Sequence, residues 1–509
     1  MTLDCLTENM GIIKDLFEGS CEHTLDSDIS LPDYYPEIIR VLKCCVSPKI
    51  ISNKITGDRA CADGNALIRI IYADENNNIC TYEQDVPFSK YVQIPADCTG
   101  TLFTKADTQY VNCRAVSKRR VEINGVMHIV FKICTVSKNE IISTINQKGV
   151  QLKTSTEEVS NLIACDCKQF SITETVELPA DYLPVEQVIN CCMTPILNDT
   201  RVVNDKILLK GELCVTLIYC TRENHSQTVK FSHSIPINQV IDATGITENS
   251  SVDIFLDILS DECIIRNDSN SDPRLIEVNS IVNTQIKAYE QTPITYITDA
   301  YCTDGELNAK YESVTTLNRC NRIHETVTLK NTVDLSAQSI ESLCCMWFNQ
   351  PKIGKSVNEG KLKIHSSIPV NIIALDSDGK PVFCQREFDF DFEKNIDIQA
   401  NIIGNAFITN TGHSIGTITN GKAEIKAEFI VDADAFSSGN TKILVDAVIS
   451  PKEQSTQACI AIYFPDEEET LWDIARKFNT TVDAIKEQNA VSDEITAQCQ
   501  PILIPVTMN

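Results

Sequence analysis

The feature that most constrains the fold of this chain is an internal repeat. Residues 31–50, LPDYYPEIIRVLKCCVSPKI, align without a gap with residues 178–197, LPADYLPVEQVINCCMTPIL. The alignment sets Cys44 against Cys191, 147 residues further on, and the same offset carries Ile71 onto Ile218. Self-similarity at a fixed period is typical of a chain that repeats one structural unit. The sequence therefore predicts a row of similar modules.

A third, more divergent copy follows the first two. Its Cys pair is Cys344-Cys345, and VNIIALDSDGKPVF at 370–383 parallels LIRIIYADENNNICTY at 67–82. A chain of 509 residues is long enough for three or four domains, each with its own core. We expect three β modules and a small C-terminal domain, with the boundaries 1–160, 161–310, 311–455 and 460–506.

Within each copy, apolar residues alternate with more polar ones, the period of a half-buried strand. The clearest examples are Ile207, Leu209, Leu213, Val215, Leu217, Leu362 and Ile364. Polar turn sequences separate these runs at 74–78, 221–226 and 376–380, and a second hairpin is predicted around Asn124-Gly125 and Asn420-Gly421. The predicted fold class is mainly β, with three antiparallel sandwiches or small barrels.

Each module is expected to open with one short helix that ends near its Cys pair. The helical spacing is clearest in the first copy, at Pro36, Ile38, Val41 and Leu42. Adjacent cysteines rarely bond to each other, so we interpret the pairs as core packing. The alternative is a regulated crosslink between chains.

Charge and composition exclude several classes of function. The formal charge of −26 would repel nucleic acid and anionic lipid. The sequence contains no run of eighteen apolar residues, so it predicts no membrane span. The acidic N-terminus does not resemble a signal peptide, and we therefore expect a cytoplasmic protein. The 23 cysteines include no Cys-x-x-Cys pair. We therefore expect no metal and no cofactor, and reduced thiols such as Cys134, Cys214 and Cys384 in the core.

The tail from Tyr463 has a different pattern: a strand, two short helices and a closing strand. Thr470 with Asp473 predicts the capped start of a helix whose inward face is Leu471, Trp472, Ile474, Ala475 and Phe478. Thr481 caps a second helix that ends at Asn489, and Pro501–Pro505 supplies the last strand. The tail is thus predicted to be a βααβ miniature domain.

These residues resemble a LysM domain. The matching positions are Thr470-Leu471-Trp472-Asp473-Ile474-Ala475, Val482, Ile485, Asn489, Ile495 and Leu503-Ile504-Pro505. The three upstream copies are similar to the SPOCS modules of sporulation proteins. Three such modules followed by a LysM domain resemble the SipL family of clostridial spore-coat morphogenetic proteins, and the likeness covers nearly the whole chain.

The tail departs from sugar-binding LysM domains in both loops that hold N-acetylglucosamine. Glu468-Glu469 replaces the usual Gly-Asp, which removes backbone freedom and adds negative charge. The resemblance implies a groove, for a partner or for glycan, lined by Glu468, Glu469, Thr470, Leu471, Asn489, Val491, Ser492 and Ile495. From Tyr463 onward the tail carries nine acidic and three basic residues, which suits either a solvated surface or a protein-docking face.

The sequence contains no catalytic motif, so no catalytic residue is predicted and an enzyme is not expected. The resemblance implies a scaffold that docks through its LysM domain to a basal coat-layer ATPase and contacts other coat proteins in the mother cell at the forespore surface. The alternative is a protein that binds peptidoglycan of the cell wall or spore cortex. Assembly into a homo-oligomer is left open.

Overall fold

The computed structural model describes residues 4–96, 98–221, 228–336, 339–419, 421–451, 460–466, 469–489 and 501–505. The first module contains β1 (Cys5–Ser30), β2 (Arg40–Thr56), β3 (Arg59–Ala73), β4 (Ile79–Gln93), β5 (Thr101–Ser117) and β6 (Arg120–Ile145). These strands pair antiparallel in two sheets, β1-β6-β5 and β2-β3-β4. The inward side chains of both sheets, including Ile70 and Ile129, pack into one core.

The second module repeats this arrangement. Its strands are β7 (Val150–Glu177), β8 (Gln187–Val203), β9 (Lys206–Cys220), β10 (Thr228–Asp242), β11 (Ser251–Asn267) and β12 (Pro273–Cys302). The sheet orders are β11-β12-β7 and β10-β9-β8. The alternating apolar residues of β9 are buried between the two sheets, so the period-two prediction is confirmed.

The third module has the same design with one strand divided. It contains β13 (Gly305–Asp334), β14 (Ile340–Phe348), β15 (Lys352–Asn358), β16 (Lys361–Asp376), β17 (Pro381–Asn395), β18 (Ile402–Thr419) and β19 (Lys422–Pro451). One sheet has the order β13-β19-β18, and in the other β16 pairs with β14, β15 and β17. The repeat is therefore present in the fold even where the sequence has diverged.

The tail folds as β20 (Ile460–Tyr463), α1 (Leu471–Phe478), α2 (Val482–Asn489) and β21 (Ile502–Pro505), with β20 antiparallel to β21. The predicted fold class, antiparallel β modules followed by a βααβ domain, is confirmed. Within the described ranges, no helix has the length and apolar character needed to cross a bilayer.

The three modules pack around one shared apolar cluster. Ile71, Ile218 and Ile373 occupy equivalent positions in β3, β9 and β16, and all three are almost fully buried in this cluster. Neighbouring modules are also joined by hydrogen bonds from a side chain of one to a backbone carbonyl of the other: Thr81 to Val188 (2.8 Å), Thr228 to Cys344 (2.6 Å) and Arg40 to Pro381. Because the third module bonds back to the first, the three form a closed ring.

The predicted opening helix is wrong. Residues 31–39 are irregular, and the chain enters β2 at Arg40, so the Cys pair lies on a strand. A bulge at Leu42 interrupts the pairing of β2 with β3. Leu42 reaches the cluster shared by the modules, while Val41 packs against the core of its own module. The apolar spacing that resembled a helix comes from a strand that buries both of its faces.

The predicted hairpin at Asn124-Gly125 is also wrong, because both residues lie inside β6 and pair with β1 and β5. Gly125 is required there by close packing, since a Cβ would lie 2.8 Å from the carbonyl oxygen of Tyr110. The turn follows Ser117 instead. In the third copy the hairpin is confirmed by Gly421, which has φ +71 between β18 and β19, although Asn420 lies outside the described residues.

The remaining three turn predictions and the core thiols agree with the structure where it describes them. Residues 74–78 and 376–380 connect β3 to β4 and β16 to β17, whereas 222–227 lie outside the described part. Cys134, Cys214 and Cys384 are buried, as expected.

Candidate functional site

The βααβ tail is the candidate binding domain, and its local sequence explains its fold. Thr470 caps α1 by accepting a hydrogen bond from the backbone N–H of Asp473, whose carboxylate in turn accepts from the N–H of Thr470 (3.1 Å). This reciprocal pair satisfies two donors at the helix start. Thr481 accepts from the backbone N–H of Ala484 (3.1 Å) at the start of α2. Both predicted caps are confirmed.

The tail core is small. It consists of Leu471, Ile474, Ala475, Ile485, Ile502 and Ile504, all buried, with Trp472 and Phe478 packed at its edge. Among the predicted groove residues, Leu471 is only 1% exposed, backbone and side chain together. Leu471 therefore packs in the tail core.

Asn489 connects the second helix to the closing strand. Its amide group donates to the carbonyl of Leu503 (2.7 Å), and its side-chain oxygen accepts from the N–H of Leu503 (2.8 Å). It also donates to the carbonyl of Ile485 (2.8 Å). Asn489 thus holds β21 against α2.

Glu469 is half-buried. It accepts hydrogen bonds from the Tyr463 hydroxyl (2.8 Å) and from the backbone N–H of Asp466 (3.3 Å). Lys477 donates to the same hydroxyl (2.7 Å), which raises the pKa of Lys477. Glu469 therefore has a structural role as a hydrogen-bond acceptor and also contributes negative charge.

Half of the predicted groove falls outside the described part of the chain. Glu469, Thr470, Leu471 and Asn489 are described; Glu468, Val491, Ser492 and Ile495 are not. Thr470 and Leu471 lie at the start of α1 and Asn489 at the end of α2, the two places from which the groove loops depart.

A second surface of the tail was missed by the sequence reasoning. On the sheet face away from the helices, Ile460 and Ile462 are 51% and 66% exposed, and Leu503 lies opposite Ile462. Phe464, directly after β20, is also 66% exposed. We call these four residues the apolar face. The alternation of Ile460, Ile462 and Phe464 with Ala461 and Tyr463 is a period-two signal that the sequence does contain. A contiguous exposed apolar surface on a small domain is typical of a protein-binding site.

The tail is also docked on the second module. The indole N–H of Trp472 donates to the carboxylate of Asp299 at 2.7 Å, and Arg476 donates to the same carboxylate at 2.8 and 3.0 Å. The buried hydroxyl of Tyr301 donates to the carbonyl of Thr480 (2.8 Å), and its ring meets Trp472 edge to face at 4.9 Å. Burial, with Asp299 nearby, raises the pKa of Tyr301 to about 12, so the hydroxyl remains a donor at neutral pH.

This docking covers one side of α1 and leaves the apolar face exposed. Within the described residues, no group of three His, Cys, Asp or Glu side chains converges in a way that could hold a metal ion.

Comparison with known families matches three segments of the chain. The SipL, SPOCS domain family matches residues 37–116 and 184–264, in the first and second modules. The LysM domain family matches residues 467–495, in the tail. Neither the curated proteins nor the solved structures include a significant match to the chain. SPOCS and LysM domains are non-catalytic binding domains, and together they fit a spore-associated protein of the coat, of peptidoglycan-binding type.

Proposed function

We propose that this chain, a SipL-like protein with SPOCS domains and a C-terminal LysM domain, is a non-enzymatic scaffold of endospore coat assembly. Its LysM domain docks to a basal coat-layer ATPase, and the ring of modules contacts other coat proteins. The protein acts in the mother cell, at the surface of the forespore.

The observation that carries this proposal is the apolar face of the LysM domain. Peptidoglycan is a polar polymer, and its capture gives no reason for both Ile462 and Phe464 to be two-thirds exposed. A protein partner would bury these side chains at about 25 cal/mol per Å² of apolar surface. The acidic residues that follow Phe464 in the chain, Asp466 and Glu469, favour a partner with basic residues around an apolar patch.

The alternative function is binding of peptidoglycan, the usual activity of LysM domains. The matched segment 467–495 includes the first of the two loops that hold N-acetylglucosamine in sugar-binding members and the start of the second. In this chain the first of these loops carries Glu468 and Glu469, which crowd a groove that would have to meet acidic stem peptides.

A fluorescent fusion to the full chain tests where the protein acts. We expect fluorescence to gather around the forespore during sporulation. Accumulation at the septal wall of vegetative cells would contradict the scaffold and support the glycan-binding alternative.

A further inference from the structure

Two pairs of cysteines lie between the two sheets of the first and second modules. In the first module Cys44, on β2, and Cys113, on β5, pack against the same core, and each thiol shifts the pKa of the other. In the second, Cys191 on β8 and Cys263 on β11 do the same. None of these four thiols is in a disulfide, and all four are partly exposed. Neither pair has a role in the binding function proposed above.

Each pair joins strands that lie at the edges of their sheets. In the first module β2 ends one sheet and β5 ends the other. The hydroxyl of Thr108 on β5 donates to the carbonyl of Val46 on β2 (2.8 Å), and Asn53 donates to Thr104 (3.1 Å). These bonds hold β2 and β5 close enough for side chains of the two strands to meet.

The pairing positions are the same in every module. On the first strand Cys44 lies opposite Ile70 and Cys191 opposite Leu217, which are equivalent residues 147 apart. Met346 lies opposite Ile372 at the equivalent place in the third module. On the partner strand the equivalent residues are Cys113, Cys263 and Gly416, opposite Ile123, Val278 and Ile425.

The third module shows independently that these positions face each other. A Cβ built on Gly416 would lie 3.0 Å from the sulfur of Met346. Side chains at these two positions therefore meet across the open edge of the sandwich, which is where a disulfide would link the two strands. The third module carries Met and Gly instead, so it cannot form one.

We propose that Cys44–Cys113 and Cys191–Cys263 are two redox-active dithiols, each of which closes to an intramolecular disulfide when the protein meets a peroxide. The disulfides would fasten the open edge of each sandwich in the first two modules.

The step balances with hydrogen peroxide as the oxidant. The neighbouring Cys44 thiol lowers the pKa of Cys113, and Cys191 lowers that of Cys263, which favours these two as the attacking thiolates. The thiolate attacks a peroxide oxygen, the O–O bond breaks, and sulfenic acid and water form. The partner thiol then attacks the sulfenic sulfur, the S–S bond forms, and a second water leaves. Two thiols lose two electrons and two protons to one peroxide.

Disulfide mapping of the full chain tests the proposal. The reduced protein is treated with limiting hydrogen peroxide, remaining thiols are alkylated, and an unreduced digest is analysed by mass spectrometry. We expect the Cys44–Cys113 and Cys191–Cys263 peptides to form at least tenfold faster than any link through Cys45 or Cys192. If these four thiols stay alkylated while others are oxidised, or if they join other cysteines at equal rates, the proposal is wrong.

Two variants supply a matched comparison. Cys113→Ser should lose the first link and keep the second, whereas Cys45→Ser, which changes the neighbour of Cys44, should keep both. Oxidation should raise the Tm of the wild type and of Cys45→Ser by several degrees, and raise that of Cys113→Ser less. Equal loss of crosslinking in both variants would contradict the assigned pairing. If Cys113→Ser does not fold, the wild-type map decides alone.

Discussion

The indole N–H of Trp472 donates a 2.7 Å hydrogen bond to the carboxylate of Asp299, a residue 173 positions earlier in the chain. Trp472 belongs to the LysM domain and Asp299 to the last strand of the second module, so the bond fixes the LysM domain on the ring. Arg476 strengthens the contact by pairing with the same carboxylate. The LysM domain therefore presents its apolar face in a fixed direction.

Replacing Asp299 tests this attachment. Asp299→Ala removes charge-assisted bonds to Trp472 and Arg476, which should weaken docking by about 1–3 kcal/mol. We expect faster amide hydrogen exchange across α1 at unchanged overall Tm. Asp242→Ala, at a side chain 84% exposed, is the control and should leave the exchange rates of α1 unchanged. Equal exchange rates in the wild type and Asp299→Ala would show that Asp299 does not hold the LysM domain.

The sequence predicts most of the fold because one physical signal, period two, dominates it. Residues near one another in sequence predict strands β9 and β16. They also predict both caps of the LysM helices. The predictions that failed involve contacts between distant segments. Leu42 is apolar because it packs in the cluster that the three modules share. Its spacing from neighbouring apolar residues is that of a helix, so the local pattern predicted a helix instead of a strand.

The candidate site also combines features that the sequence predicts with features that depend on contacts between distant segments. Thr470 and Asn489 lie where the LysM resemblance places them, at a helix start and a helix end. The bond from Tyr463 to Glu469 and the contact between Trp472 and Tyr301 depend on tertiary packing, so single-sequence patterns do not contain them.

Hydrogen bonds between neighbouring modules of the ring should contribute to the stability of the protein. The side chain of Thr81 is 6% exposed and bonds to Val188 of the next module. Thr81→Val leaves that carbonyl without its donor, which should cost about 1–3 kcal/mol. We expect a Tm lower by several degrees, whereas Thr417→Val, at an exposed strand position, should change it little. Equal Tm values for both variants would contradict a closed ring.

Asp253 predicts a pH dependence. It pairs with Arg319 and Arg322 between the second and third modules, but burial and the neighbouring Asp434 raise its pKa from 3.8 to about 6. Between about pH 4 and 6 the folded state therefore holds more protons than the unfolded state. The free energy of unfolding therefore falls by up to about 3 kcal/mol as the pH rises from about 4 to 6.

Asp253→Asn isolates this effect because its side chain is neutral at every pH. The difference in Tm between variant and wild type should move in favour of the variant as the pH rises from 4 to 6. Movement in the opposite direction would mean that the two arginines hold the pKa of Asp253 below its usual value.

Glu469 predicts separate effects of charge and of hydrogen bonding. Glu469→Gln keeps an acceptor for Tyr463 and removes the charge, so it should weaken capture of the ATPase at low salt and have little effect at high salt. Glu469→Ala loses the acceptor too and should lower the stability of the LysM domain by about 1 kcal/mol. Binding unaffected by Glu469→Gln at any salt concentration would leave the acidic loop without a role in recognition.

The affinity of the full chain for the basal coat-layer ATPase tests the proposed function most directly, with pelleting on insoluble peptidoglycan measured in parallel. Ile462→Ser with Phe464→Ser removes the centre of the apolar face, and Ile398→Ser, at a residue 80% exposed in the third module, is the matched control. We expect the double variant to bind the ATPase at least tenfold more weakly, and the control and wild type to bind equally. Strong pelleting of the wild type with peptidoglycan, and no ATPase binding that depends on Ile462 and Phe464, would contradict the scaffold function.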